Sequence, residues 1–537
     1  MKKTKKYLTP LLAAALALGL LTGCGKTQQA SSGSAAAQTD ETITIACCAD
    51  IGDMNPHLAN AGIYAQNDVF DGLVKYADGK VQPALAEKWD VSSDGLTYTF
   101  HLRRGVKYSD GSVFNANSVK KNFDAIFQNA KKFTWLGVVA NLDYYEATDE
   151  NTFTMVLKAP YYPALQDLAA VRPFRMLGDA GFADDGSSMN GIKAPIGTGP
   201  WMLKDYVENQ YATFVQNPNY WGEKPNIAGF TIKIYTDGQS AVSALEAGQV
   251  NMIYDMYESQ LMTVDTYNSL KKEGYSSSIS DPVLTRIITL NSTQEPFNDI
   301  SVRKAFATCL DKKTIVQSVF GGLEQVADTY YWTGTPYCNV GLNGYDYNVD
   351  AANKLLEDDG WIKTEGQDYR TKDGKTLGAT FYYDSSNVVQ TSLAQIAQSQ
   401  LKTIGFKLDI VGEEATTNIS RQYNGDFQMC YSVSWGDPYD PHSTLEAIAA
   451  PAGSAENFAM ASYEKFDDFA AEIGEAVKTV DETQRQAAYK DILTTIHEQY
   501  SIIPISYQTN RAITQKNIDG VTFELSNVMP LNKLTVK

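Results

Sequence analysis

The sequence is short of what most active centres are built from. Its 537 residues include only four histidines, His57, His101, His442 and His497. There is no HExxH run, no GxSxG elbow, no Walker loop and no GxGxxG after a strand. No group of His, Cys, Asp and Glu has metal-ligand spacing, so any metal the chain takes arrives largely ligated already. Besides Cys24 the cysteines are Cys47, Cys48, Cys309, Cys338 and Cys430, an odd set without metal-type spacing. The adjacent Cys47 and Cys48 fall in a strand-like run whose neighbours face opposite ways, which reads as small buried residues rather than a disulfide or a ligand pair. Positive charge is also scarce: 45 Lys and Arg against 63 Asp and Glu leave a net charge of −18. That balance excludes nucleic acid and an anionic membrane surface as partners, since both need basic patches.

What is present begins with a compartment signal. Lys2, Lys3, Lys5 and Lys6 make a basic start, and an uncharged apolar run follows from Leu11 to Leu21. The run is too short to span a bilayer as a mature helix and fits the core of a secretory signal. It ends in Leu21-Thr22-Gly23-Cys24, which resembles the lipobox of bacterial lipoproteins. The resemblance implies a signal peptide over 1–23 and a lipid on Cys24; the alternative is an ordinary signal peptide with an incidental cysteine. No later apolar stretch reaches membrane length, so the mature chain is expected to be lipid-anchored on the extracytoplasmic face of the membrane. Residues 24–40, rich in Ser, Ala, Gln, Thr and Gly, have almost nothing to bury and read as a flexible tether. Removing the four signal lysines takes the charge to about −22, which speaks to solubility and does not identify a cationic ligand.

Roughly 500 residues remain after the tether, more than one core usually supports, so at least two lobes are expected. Glu41-Thr-Ile-Thr-Ile45, Leu96-Thr-Tyr-Thr-Phe-His-Leu102 and Phe153-Thr-Met-Val-Leu157 alternate as strands do. Between them, residues 117–127 have helical spacing, with Asn117 as cap. Ile232-Lys-Ile-Tyr235, a helix over 240–247 closed by Gly248, and Val250-Asn-Met-Ile253 make a strand–helix–strand unit. The same grammar restarts after about residue 285. Arg286-Ile-Ile-Thr-Leu290 is a strand, a helix begins near Asp299 or Ser301, and a helix over 388–404 precedes the strand at 406–411. A long amphipathic helix over 482–500 leads to Ile502-Ile-Pro-Ile505. The pattern is α/β throughout, with no short-period repeat.

Aromatic side chains are plentiful, with 32 Tyr and 7 Trp. Tyr and Trp join apolar faces to polar tips and suit a cleft that engulfs a polar small molecule. Two clusters stand out: Lys131-Lys132-Phe133-Thr134-Trp135, and the run from Ser434 through Trp435, Asp437, Tyr439, Asp440 and Pro441 to His442. The alternative reading makes both of them packed loops. His57 and His442 sit in loop-like Asn-Pro-His and Pro-His contexts and are the better functional histidines. His101, in a strand, and His497, in a helix, read as structural. Gly197-Thr198-Gly199-Pro200 lacks the lysine and helix start of a phosphate loop and reads as a turn.

Several stretches resemble family 5 solute-binding proteins, the group that includes oligopeptide, dipeptide and nickel receptors. They are Pro83-Ala-Leu-Ala-Glu-Lys-Trp89 and the run from Ser93 through Arg103 and Arg104 to Gly111. Asn190-Gly-Ile-Lys-Ala-Pro-Ile-Gly-Thr-Gly-Pro-Trp201 and Asn219-Tyr-Trp-Gly-Glu-Lys-Pro225 are similar to the nickel and metallophore branch. So are Val171-Arg-Pro-Phe-Arg175, Trp435-Gly-Asp-Pro-Tyr-Asp-Pro-His442 and residues 481–493. The resemblance covers nearly all of the chain after Asp40.

The resemblance implies a type 2 periplasmic-binding-protein fold of two lobes with hinge strands and an extra subdomain in lobe I. Lobe I would hold 41–285, lobe II 286–505, and 506–537 would return to lobe I, with hinge strands near 285–290 and 504–507. It implies a monomeric receptor, not an enzyme, working with ABC permease and ATPase subunits and needing no catalytic cofactor. Its transported ligand would be a Ni2+ chelate. By position, Arg172 would grip the chelator carboxylate, a bidentate match that lysine does not make. Trp135, Trp435 and Tyr439 would wall the cavity, and Lys132 falls on a second basic position that is usually arginine. The departures matter. The branch's metal-binding histidine falls on Gly453, and a methionine and tyrosine that line the pocket fall on Ile63 and Ala59. Asp437 stands where alanine is typical and is placed to meet an amine or a metal edge. A di- or oligopeptide receptor therefore stays open, since an aspartate in this Trp segment typically binds the peptide amino terminus. A remote alternative is an extracellular hydrolase using Asp437 and Asp440 as paired acids.

Overall fold

Ile43 and Ile45 are buried while Thr42 is exposed, the alternation of a strand with one face on a core. This strand, Thr42–Cys47, runs parallel between Gly229–Ile234 and Met252–Asp255. Those two strands flank the helix Gly238–Glu246, capped by Asp237 on the Ser240 amide at 2.8 Å, so the expected strand–helix–strand unit is present. Cys47 is buried and Cys48 exposed, which corrects the reading of both as buried residues. The computed structural model describes residues 41–58, 63–256, 261–450, 453–525 and 527–537. The signal segment, Cys24, the 24–40 tether and Ala59 lie outside the described residues. No helix among the described residues is long and apolar enough to cross a membrane.

The main sheet has eleven strands. Its order is Lys407–Glu413, Gly378–Asp384, Met429–Val433, Ser276–Leu290, Ile502–Thr514, Met252–Asp255, Thr42–Cys47, Gly229–Ile234, Tyr211–Gln216 and Trp201–Val207, with Gln325–Val326 paired onto Ile502–Thr514. Two long strands therefore stand between a group drawn from the first half of the chain and a group drawn from the second. Ser276–Leu290 pairs through residues 286–290 with Met429–Val433, while Ile502–Thr514 pairs through its last four residues with Met252–Asp255. Their mutual ladder shifts register around Pro282 and again between Arg286 and Ile287. Bulges of this kind bend a strand pair locally. The run at Ile502 is longer than its apolar letters indicate, because the polar Gln508 and Asn510 are fully buried within the ladder.

A second, four-stranded antiparallel sheet has the order Ala86–Val91, Thr97–Leu102, Thr152–Leu157, Leu142–Asp149. Helix Ala116–Gln128 packs on it through Phe123, whose ring lies 4.7 Å from Phe153. The cap of this helix is Asn115 rather than Asn117. Its side chain accepts the Ser118 amide and its own amide donates to Ser118 Oγ at 3.0 Å, a reciprocal pair that Asn117 has no partner to make. In the second half, Ile300–Cys309, Val388–Thr403 and Glu482–Gln499 form where apolar residues recur at helical spacing, and Asp299, Asn387 and Asp481 cap them.

Candidate ligand-binding cleft

The first component is the loop that carries two arginines. Phe174 is buried 5.7 Å from Phe123, and the amides of Met176 and Leu177 donate to Asp71 O and Asn122 Oδ1. The backbone around residues 172–175 is thus held on both sides of its apolar anchor. Within it the two guanidinium groups have different fates. Arg175 is buried, donates to the carbonyls of Ala169 and Ala170 and to Asn67 Oδ1, and burial pulls its pKa down to about 10. Arg172 is half-buried, and its Nε is buried without a hydrogen-bond partner. Nε of Arg175 is likewise without a partner, so what sets the two apart is that Arg175 bonds the loop through Nη1 and Nη2.

The second component is the loop between strand Met429–Val433 and helix His442–Ala449. Asp440 organises it, accepting the Gly436 amide at 2.8 Å, the Trp435 amide at 3.3 Å and the Thr444 hydroxyl. Gly436 has φ +75°, a conformation that favours glycine, and its carbonyl accepts the amides of Tyr439 and Asp440. Ser434 exchanges two hydrogen bonds with Thr285 and ties the loop to the long strand Ser276–Leu290. Asp440 is fully engaged in this scaffold. Its carboxyl is pushed up by burial and held back by those donors.

These loops bring three rings together. Trp135, just after the short turn Ala130–Lys132, lies 5.9 Å from Trp435, edge to face, and 5.5 Å from Tyr439. Burial raises the pKa of the Tyr439 hydroxyl, and the charges of Arg172 and Arg175 work against that shift, so both lie within electrostatic reach of the ring. Arg172, Trp135, Trp435 and Tyr439 therefore form one neighbourhood. Lys132, at the end of the turn, is exposed.

Asp437 adjoins this group. One of its oxygens is buried without a hydrogen-bond partner, and its pKa is raised to about 7, chiefly by burial and then by the negative Asp440. His442 and the Tyr76 hydroxyl act in the opposite direction. His442 is fully buried, with Nε2 3.0 Å from Asp167 Oδ1 and Nδ1 without a partner. Four residues along the same helix, Glu446 accepts the Tyr161 hydroxyl at 3.0 Å and is raised to about 7, again by burial first. Asp167, Tyr161, Tyr76 and Glu446 were not singled out from the sequence. The signal that was available is the i, i+4 spacing of His442 and Glu446, which puts both on one helix face.

His57 lies elsewhere. Its Nδ1 is 2.8 Å from Ser188 Oγ and its Nε2 3.2 Å from Arg175 O, and burial pulls its pKa down to about 4. A neutral ring with both nitrogens engaged supports the Arg175 loop rather than offering a lone pair to a ligand. Gly453 has φ +116°, which a histidine adopts only under strain. Ile63 opens helix Ile63–Val69 and packs half-buried on the core that includes Phe123. Among the described residues no group of three or more His, Cys, Asp or Glu is arranged to hold a metal ion.

Comparison with known proteins adds a family and relatives. The model of "Bacterial extracellular solute-binding proteins, family 5 Middle" matches residues 80–456. The chain is 37% identical over 493 residues to the nickel-binding periplasmic protein of Escherichia coli K12, covering 91% of this chain and 93% of that protein. It is 28% identical to di/tripeptide-binding protein 2 of Pseudomonas aeruginosa, over 84% of this chain and 86% of that one. Among solved structures, NikA from Brucella suis in complex with Fe(III)-EDTA superposes with a TM-score of 0.90 and 36% identity, covering 93% of this chain and 100% of that one. The α/β architecture with two long central strands is the type 2 periplasmic-binding fold of these relatives.

Proposed function

The chain belongs to the family 5 bacterial extracellular solute-binding proteins, and from that premise we propose that it is the lipid-anchored receptor of an ABC importer. Its cargo is a metal chelate, nickel held by a carboxylate-bearing metallophore or amino acid, which it delivers to the permease and its ATPase. The observation that carries this reading is Arg172. Its Nε is buried without a partner, and its charge reaches the hydroxyl of Tyr439, whose ring packs on Trp135 as that of Trp435 does. A guanidinium with open donors beside aromatic walls is a seat for an anionic, carboxylate-bearing ligand. The likeness to a nickel-binding protein, and to a relative crystallised with a polycarboxylate chelate, supports the same ligand class.

On this reading the protein grips the chelator and the ion travels as cargo. The lobes are 41–285 with 506–537, and 286–505, and they flex about Ser276–Leu290 and Ile502–Thr514. Closure is a population shift driven by contacts that a ligand makes with both lobes at once. Cys24 carries the lipid and 24–40 is the tether. The receptor acts as a monomer and performs no catalysis. Asp440 is committed to loop amides, which speaks against the paired-acid hydrolase.

One observation favours a second reading. Asp437 keeps a buried oxygen without a partner, as a carboxylate reserved for the amino group of a di- or oligopeptide would. Native mass spectrometry of the full chain, incubated with nickel and histidine, separates the two. A mass increment equal to a nickel–histidine complex supports the chelate receptor, and a co-purifying peptide that nickel–histidine does not displace overturns it.

A further inference from the structure

Tyr76 and Tyr161 also line a cavity of about 570 Å3 to whose wall none of Arg172, Trp135, Trp435 and Tyr439 contributes. One side of it comes from residues 76–166 and the other from residues 336–486. The second side carries Arg485, a residue only 7% exposed. Its guanidinium carbon lies 4.1 Å from the centre of the Tyr162 ring and 5.1 Å from that of Tyr337. Nη1 donates to the carbonyls of Thr479 and Val480, and Nη2 donates to the Tyr337 hydroxyl at 2.8 Å. Nε is buried and has no hydrogen-bond partner. Two of the five N–H groups are thus left over, on Nε and on Nη2, and a guanidinium held this firmly is costly to bury unless something accepts from them.

The surroundings define the chemistry of that acceptor. Lys80, Glu482 and Arg485 are the charged side chains at the cavity, a locally positive set in a chain of net charge −18. Tyrosine rings dominate the rest of the wall and offer flat apolar faces. Val91 and Val480, two of the chain's exposed large apolar side chains, stand at this cavity from opposite walls. The volume falls in the range of small-molecule sites, roughly 300–1,000 Å3.

We propose that this cavity is a second ligand site that takes a small aromatic carboxylate, its ring against the tyrosines and valines and its carboxylate on Arg485. Because the two walls come from distant parts of the chain, an occupant touches both and favours the arrangement in which they face each other.

The test is calorimetric titration of the full chain with 4-hydroxybenzoate. Three variants accompany the wild type: Arg172→Ala, which leaves this cavity untouched, and Val480→Trp and Val91→Trp, which fill it from either wall. Wild type and Arg172→Ala are expected to bind within about twofold of each other. Both tryptophan variants are expected to bind at least about tenfold more weakly. Using both walls covers the case in which one variant does not fold. Failure of 4-hydroxybenzoate to bind wild type, loss of binding in Arg172→Ala, or undiminished binding in a folded tryptophan variant would overturn the proposal.

Discussion

His442 Nε2 and Asp167 Oδ1 lie 3.0 Å apart with both side chains fully buried, joining the start of helix His442–Ala449 to helix Ala164–Ala169 across 275 residues of sequence. The other oxygen of Asp167 accepts the Val138 amide at 2.9 Å. Asp167 thereby couples the loop that carries Trp435 and Tyr439 to the helix just after Trp135, and the segments bearing all three rings share one polar anchor.

Replacing that anchor has a defined cost. Asp167→Ala leaves a buried imidazole and a buried amide without their acceptor, a loss of about 2–4 kcal/mol. Urea unfolding of the purified variant measures it. A loss below about 1 kcal/mol would mean that the pair is not a structural link.

The two arginines of the 172–175 loop should separate cleanly. Arg175→Ala strands the carbonyls of Ala169 and Ala170 and should lower stability by about 2–4 kcal/mol. Arg172→Ala removes no intramolecular hydrogen bond described above and should unfold within about 0.5 kcal/mol of wild type. Parallel denaturant melts decide between this assignment and its reverse.

Asp437 and Glu446 are each raised to about 7, mainly by burial. A carboxyl whose pKa is higher folded than unfolded holds its proton more tightly in the folded state. Its stabilising effect is complete below the unfolded value near 4 and is lost as pH rises through about 7. The melting temperature of the wild type should therefore fall between pH 5 and pH 8, and Asp437→Asn should fall less steeply. Parallel pH profiles for the two proteins would contradict the buried-carboxyl assignment.

The ring cluster is predicted to contribute through contact area and shape. Trp435→Ala removes the edge-to-face partner of Trp135 and should weaken nickel–histidine binding about tenfold or more, as loss of a buried aromatic anchor does. Quenching of intrinsic tryptophan fluorescence on titration follows this, with Trp135→Ala as the companion.

Much of the scaffold is legible in the letters because the signals are local. Alternation at Thr42–Cys47, and the helical spacing of Ile492, Leu493 and Ile496, depend only on which face meets a core. The cap at Asn115 was two residues from the expected one because a reciprocal pair with Ser118 decides it, and a lone Asn at 117 looks equally suitable in sequence. The strand Ile502–Thr514 was cut short for a different reason. Its buried Gln508 and Asn510 have the composition of a loop, and the pairing of Ile502–Thr514 with Ser276–Leu290 on either side of them carries the strand through.

The grouping of the proposed site residues was legible where chemistry and motif coincide. Arg172, Trp135, Trp435 and Tyr439 come together although 37 residues separate Arg172 from Trp135 and more than 260 separate Tyr439 from Arg172. Asp440 and Asp437 look alike in sequence, and their roles diverge because one carboxylate accepts two amides of its own loop and the Thr444 hydroxyl of the next helix, while an oxygen of the other has no partner. The buried partners of His442 were invisible because the chain brings them from helix Ala164–Ala169, whose sequence carries no mark of a histidine opposite.

The most direct measurement is calorimetric titration of wild-type protein and Arg172→Ala with nickel in the presence of histidine. The account predicts saturable binding to wild type and a loss of at least about thirtyfold, or about 2 kcal/mol, in the variant, with its melting temperature unchanged. Equal dissociation constants for the two proteins would contradict it.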